Sequence, residues 1–304
     1  MILVTGGLGM IGAHTAHALV ELGQEVVVTT YRQTDVPSFL AGRVAVESLD
    51  VTDRAAFLAL GNQYDVRAIV HLAGTVPGEN PVDFYRADLT GLLNALDAAR
   101  AWGVRRFAVA SSLGVYSGRP EIPWHEELDL PTVDLPHHIV AFKKAVEPIS
   151  VHALQGSGAE PILLRIGSIW GPLMDPESPF SPIPSYVSAV LRGETPRPLP
   201  AGEGGDSCYG PDAGRAIALL TAAEILRHTT YNVSAGRPST HRDLVAALEA
   251  ITPVDQRPER TDGDPAEQPY LDISRLTDDT GFTPRFDAVS AVADYFAWRS
   301  KNPR

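Results

Sequence analysis

Cysteine occurs once in the 304 residues, at Cys208, so neither an intrachain disulfide nor a Cys-rich zinc site can form. Basic residues are scarce: 25 Lys and Arg face 37 Asp and Glu, leaving a formal charge of −12. Nucleic-acid binding depends on neutralising phosphates, and anionic membrane surfaces attract cations, so neither is an expected partner. No apolar run reaches the roughly 20 residues that a membrane-spanning helix needs. A secretory leader is not expected, because a Gly-rich stretch opens at Gly6, where a leader would place its apolar segment. A soluble, cytoplasmic protein is the expectation. The nine histidines show no HExxH or comparable ligand spacing, and no metal is expected. A GxSxG hydrolase elbow is also missing. The absence with the most chemical weight is tyrosine: none lies between Tyr116 and Tyr186.

What is present is an alternation of short β-branched runs with longer helical segments. Strands are predicted at Ile2–Val4, Glu25–Thr30, Arg43–Glu47, Ala68–Leu72 and Phe107–Ala110. Helices are predicted over Met10–Leu22, closed by Gly23, over a short stretch after Asp53, and over Pro81–Trp102. Such alternation requires an α/β fold, a doubly wound parallel sheet with helices on both faces. From Gly171 proline becomes dense (Pro172, Pro176, Pro179, Pro182, Pro184), which signals irregular loops. Later helices are predicted over Ser181–Arg192, Pro211–Arg227, Thr240–Ala250 and Asp287–Lys301, forming a smaller lobe over the carboxyl edge of the sheet.

Between the first strand and the first helix stands Thr5-Gly6-Gly7-Leu8-Gly9-Met10-Ile11-Gly12. Side chains would obstruct a pyrophosphate approaching this turn, and the helix start offers N–H groups to it. Gly6, Gly9, Met10, Ile11 and Gly12 are therefore the expected cofactor contacts. The GxxGxxG spacing resembles the extended branch of the short-chain dehydrogenase/reductase superfamily, the NAD-dependent epimerases and dehydratases. Further segments resemble that family in order along nearly the whole chain: Asp50-Val51-Thr52-Asp53, His71-Leu72-Ala73-Gly74, Ser111-Ser112-Leu113-Gly114-Val115-Tyr116, Leu164–Pro172, Tyr231-Asn232-Val233 and Asp272-Ile273-Ser274-Arg275.

The resemblance implies a Rossmann fold, with residues 1–170 binding NAD or NADP. Residues 171–304 are then mainly a C-terminal substrate lobe, with late segments free to return to the sheet. Cofactor contacts are expected from Asp50 and Val51 near adenine, from Leu72, Ala73 and Gly74 under the ribose, and from Ser111 and Ile166. An NAD-specific protein normally ends its second strand with an acid for the ribose 2′-hydroxyl; here Thr30 takes that place, and Arg32 can pair with a 2′-phosphate.

Family chemistry uses a serine, a tyrosine and a lysine. By resemblance Ser112 is the serine and Lys143 the lysine that also holds the ribose; Glu147 follows Lys143 by four residues, and Pro136 fixes the same register. That register puts Ile139 where the tyrosine belongs. Isoleucine cannot exchange a proton. His138 is a candidate substitute, although it lies roughly 140° from Lys143 around a helix. The substrate pocket is expected among Thr75, Ser112, Leu113, Tyr116, Ile139 and Ser168.

Family members acting on nucleotide sugars grip the diphosphate with an arginine in a Gly-x-x-Arg-Asp segment. Here Gly202-Glu203-Gly204-Gly205-Asp206 puts Gly205 at the arginine position. Asp88 and Ser168 stand where asparagine is common. These departures favour a small sugar-like or hydroxy-carbonyl substrate. The helices holding Leu89–Leu96 and Val140–Val151 resemble the family's dimer bundle, so a homodimer is expected. Two readings remain open: an epimerase- or dehydratase-like oxidoreductase with unusual proton transfer or redox-neutral chemistry, and a non-catalytic NAD(P)-binding sensor.

Overall fold

A computed structural model describes residues 1–75, 80–133, 135–200, 203–259 and 268–302. The chain opens with β1 (Ile2–Thr5), α1 (Met10–Glu21), β2 (Val26–Thr30), β3 (Ala45–Ser48), α2 (Arg54–Ala59), β4 (Ala68–His71), α3 (Pro81–Trp102), β5 (Arg106–Ser112), α4 (His138–Ala153) and β6 (Glu160–Ile166). It continues with β7 (Ile169–Trp170), α5 (Ile183–Leu191), β8 (Gly204–Asp206), β9 (Cys208–Tyr209), α6 (Gly210–Ala222), β10 (Thr230–Val233), β11 (Pro238–Thr240), α7 (His241–Ile251), α8 (Ser274–Thr280) and α9 (Ala288–Arg299).

Seven strands form one parallel sheet in the order β10-β6-β5-β4-β1-β2-β3. This is the doubly wound α/β arrangement that the alternation demands. β1, β2 and β4 are apolar and buried on both faces, as central parallel strands must be. The chain winds outward from β1 to β3, then crosses back to β4. The crevice where the winding reverses, at the carboxyl ends of β1 and β4, is where such sheets bind ligands.

Local signals set the helix limits. α3 begins because the Asn80 side chain accepts from the Val82 N–H with Pro81 in the first turn, and ends at Gly103 in the left-handed conformation. α4 begins at His138 because the Nδ1 of His137 accepts from the Ile139 N–H. One predicted limit is corrected. The helix expected to reach Arg227 stops at Ala222, since the buried Arg106 guanidinium donates to the Leu220, Thr221 and Ala223 carbonyls at its end.

Two cores sandwich the sheet. One joins it to α1, α6 and α8, the other to α2, α3 and α4. A third core, including Trp170, Tyr186, Leu248 and Tyr295, joins α5, α7 and α9 into the smaller lobe. The segments α6, β10 and α8, from the later part of the chain, return to the sheet. α6 lies hard against α1: a Cβ at Gly214 would stand 2.4 Å from the His14 backbone carbon, so only glycine lets the helices approach this closely. On the expected dimer stripe, Leu92 and Leu96 are buried within the chain, while Leu93 remains 47% exposed. No helix among the described residues is long and apolar enough to cross a membrane.

Candidate functional site

The site starts from Thr5 at the end of β1. Its Oγ1 accepts from the Leu72 and Ala73 N–H groups at 3.2 Å and bonds to the His71 Nδ1 at 2.9 Å, locking the ends of β1 and β4 together. Gly6 follows with φ +65°, and a Cβ there would stand 2.9 Å from the Ala73 Cα. A Cβ on Gly12 would stand 2.3 Å from the Gly6 carbonyl oxygen. Gly9 is exposed and caps α1 without a side-chain hydrogen bond. As the first residues of α1, Met10 and Ile11 have N–H groups with no carbonyl one turn earlier in the helix to donate to.

A cavity of about 800 Å³ opens over this turn and gathers the expected Gly6, Gly9, Thr30, Arg32, Asp50, Val51, Leu72, Ala73, Gly74 and Thr75, with Asp88 at the Thr75 end. Thr29 at the end of β2 and Tyr31 and Gln33 after it line it as well and were not anticipated; no sequence signal marks them apart from their neighbours. The Asp50 carboxylate accepts from the Thr52 hydroxyl and N–H, which hold its pKa below the usual carboxylate range. The Thr30 hydroxyl is spent on the Gln33 carbonyl at 2.5 Å. The Arg32 guanidinium lies 5.6 Å over the Tyr31 ring.

Lys143 on α4 donates to the Ala110 carbonyl of β5 at 2.7 Å. Loss of solvent pushes its pKa down to about 8, against the opposing pull of the Asp88 charge. Asp88 itself reaches back to the end of β4, where its Oδ1 accepts from the Thr75 hydroxyl at 2.8 Å and the Thr75 N–H at 3.0 Å. Burial pushes the Asp88 pKa up, opposed by those bonds and by Lys143. Ser112 ends β5 half-buried, its Oγ accepting from the Gly114 N–H at 3.1 Å. Leu113 packs on the small core around Tyr116, and Ile139 on the core shared by α3 and α4. Ile139 carries nothing that ionises.

Four expected site residues have side chains engaged elsewhere. Tyr116, expected in the pocket, is fully buried; its hydroxyl donates to the Asn232 Oδ1 and accepts from Arg165. Ser111, expected at the cofactor, donates its hydroxyl to Glu147 at 2.6 Å, drawn inward by the Glu147–Arg165 ion pair. The Ile166 side chain lies in the core beneath the sheet. The His138 ring packs against Phe84 and Tyr85 of α3, and no hydrogen bond or ring contact among the described residues joins it to Lys143. The reason is the His137 cap, which starts a regular helix and turns His138 toward the aromatic residues of α3.

On the lobe side, Gly205 sits in β8 with φ +148°, a conformation that side-chain-bearing residues rarely adopt. Gly202 of the same segment lies outside the described residues. Ser168 is half-buried and accepts the Cys208 N–H through its carbonyl. A second cavity of about 700 Å³ brings together Tyr186, Arg192, Arg197, Glu203 and His241. Arg197 and His241 are 44 positions apart, and only the packing of the lobe makes them neighbours.

Next to it, buried Asp206 accepts from the Ser234 hydroxyl, and burial raises its pKa to about 6. The folded value exceeds the unfolded one, so the native state holds this proton more tightly. Stability is lost as pH rises from about 4 through about 6. Asp206→Asn is therefore expected to gain about 1.4 kcal/mol relative to the parent between pH 5 and pH 7.5, measured by urea unfolding at both pH values. Parallel pH dependence in the two proteins would refute this.

The family model for the NAD dependent epimerase/dehydratase family matches residues 2–234. The chain is 28% identical over 357 residues to UDP-glucose 4-epimerase of Mus musculus, covering 99% of this chain and 97% of the relative. Its fold superposes on UDP-glucose 4-epimerase of Thermotoga maritima, solved with UDP-glucose, with a TM-score of 0.84 and 21% identity over 100% and 99% of the two chains. UDP-glucose 4-epimerase of Bifidobacterium longum, solved with NAD+ and UDP, gives a TM-score of 0.80 and 24% identity over 99% and 98%. With its glycine turn, Ser112 and Lys143 placed as described, the chain belongs to the NAD-dependent epimerase/dehydratase family.

Proposed function

We propose that the protein is an NAD(P)-dependent epimerase-type enzyme acting on a small sugar-like or hydroxy-carbonyl compound. The observation that carries this reading is the single cavity that starts at the anion-accepting turn of Gly6 and Gly9 and ends at Thr75 and Asp88, within the electrostatic reach of Lys143. The glycine turn suits a dinucleotide, since a Cβ at Gly6 or Gly12 would collide with neighbouring backbone and force the turn out of shape. When bound, the nicotinamide supplies hydride exchange. Lys143 then holds the ribose, and Ser112 orients a substrate oxygen.

The relatives are named for UDP-glucose. Gly205 supports a substrate without their diphosphate, because its backbone conformation does not suit an arginine. Ile139 favours a second reading, a sensor that binds NAD(P) without turnover. The discriminating experiment incubates the protein with NAD or NADP and either UDP-glucose, UDP-galactose or free hexoses. It follows reduced nicotinamide by absorbance and epimers by NMR. Turnover of free hexoses above UDP-hexoses supports the proposal. Preference for UDP-hexoses overturns its substrate class, and nucleotide binding without turnover of any sugar supports the sensor.

A further inference from the structure

Ile139 leaves the family's proton-exchanging position empty of chemistry, yet a carboxylate, Asp88, lines the cavity. Asp88 projects from α3 with Oδ1 fixed by two hydrogen bonds from Thr75, while Oδ2 carries no hydrogen bond among the described residues. It lines the cavity that begins at the dinucleotide turn. Lys143 enters from α4, anchored to the Ala110 carbonyl, close enough that each charge acts on the other. Among the described residues, the other titratable group on which the Lys143 charge acts is His71 of β4, which is held neutral by burial, its pKa pushed down to about 3 with Lys143 adding to the shift.

We propose that Asp88 is the proton-exchange group that replaces the missing phenol. This rests on the proposed function. In the oxidative half, the substrate C–H bond breaks and its electron pair leaves as hydride to a bound nicotinamide dinucleotide. The substrate O–H bond breaks, a C=O bond forms, and the proton ends on the Asp88 carboxylate. The reverse half returns the same proton and hydride. Two further features suit Asp88 to this work. Its burial favours the protonated form and outweighs the Thr75 bonds and Lys143, which favour the ionised one. Thr75 holds one oxygen still and leaves the other for exchange.

The test uses Asp88→Asn, which keeps shape but cannot take the proton. The chain has three lysines, Lys143, Lys144 and Lys301, so reductive ¹³C-methylation gives a short NMR spectrum in which Lys143 is identified by Lys143→Arg. With Asp88 removed, the Lys143 titration midpoint is expected to fall by about one pH unit. With NAD and the best sugar from the panel above, kcat is expected to fall at least ~100-fold while KM and nucleotide affinity hold. If Asp88→Asn fails to fold, Thr75→Val serves instead: removing a donor to the carboxylate is expected to move the acidic limb of the kcat profile to higher pH. An unmoved Lys143 midpoint, or an Asp88→Asn variant as active as an active parent, overturns the inference alone. A parent that turns over no sugar overturns the proposed function, and this inference with it.

Discussion

Glu147→Gln is expected to lower the unfolding free energy by about 3–5 kcal/mol, because it leaves the buried Arg165 without its counter-charge. Glu147 and Arg165 are 7% and 5% exposed, and the guanidinium makes two bonds to the carboxylate at 2.9 and 3.0 Å. Ser111 donates to the same carboxylate, and the Tyr116 hydroxyl and Glu126 carbonyl accept from the same guanidinium. Removing one charge therefore disturbs the joint between β5, α4 and β6. Arg192–Glu194 is the matched control, with both side chains more than half exposed, so Glu194→Gln is expected to cost no more than about 1 kcal/mol. Urea unfolding of both variants at one pH decides the matter. A Glu147→Gln loss as small as that of Glu194→Gln would show that desolvation already cancels the buried attraction.

Gly12→Ala is expected to weaken NAD or NADP binding at least 100-fold, about 2.7 kcal/mol. The added methyl would stand 2.3 Å from the Gly6 carbonyl oxygen and 2.8 Å from the Gly7 Cα, so the turn must shift to admit it. That same carbonyl accepts the Gly9 N–H at 3.0 Å, so the shift reaches the residue that caps α1. Gly42→Ala separates this from a general stability loss: Gly42 has φ +71° but open space where a Cβ would stand. It is expected to cost about 1 kcal/mol of stability and leave affinity alone. Calorimetric titration of each variant provides the measurement. Gly12→Ala affinity within threefold of the parent would mean that the turn does not carry the pyrophosphate.

The sheet and the nucleotide turn were legible because their signals are local. Asn80, Pro81 and Gly103 bound α3 within its own sequence, and β-branched runs mark the central strands. The glycine spacing needs only a strand before it and a helix after it. What escaped was built from distant partners. The end of α6 depends on Arg106, more than 110 residues earlier. Tyr116 looked like a pocket residue until Asn232 and Arg165 drew its hydroxyl inward. His138 was ambiguous because only the His137 cap settles how α4 begins. Asp88 was visible as a departure from the family pattern, but its meaning required Thr75 and Lys143 around it.

The seam between α1 and α6 has a mechanical consequence. Gly214 brings α6 onto the His14 backbone with no room for a methyl group, and Gly210 lies against the His14 ring in the same way. Interlocked surfaces of this kind do not slide. α6 continues directly from β9, whose Tyr209 packs into the lobe with Trp170 and Phe286. The base of the lobe is thus clamped to the helix whose first turn faces the nucleotide. Any swing of the lobe over the nucleotide site would have to be taken up by the chain connections that lead into α5, α7 and α9, leaving the α1–α6 seam as its fixed bearing.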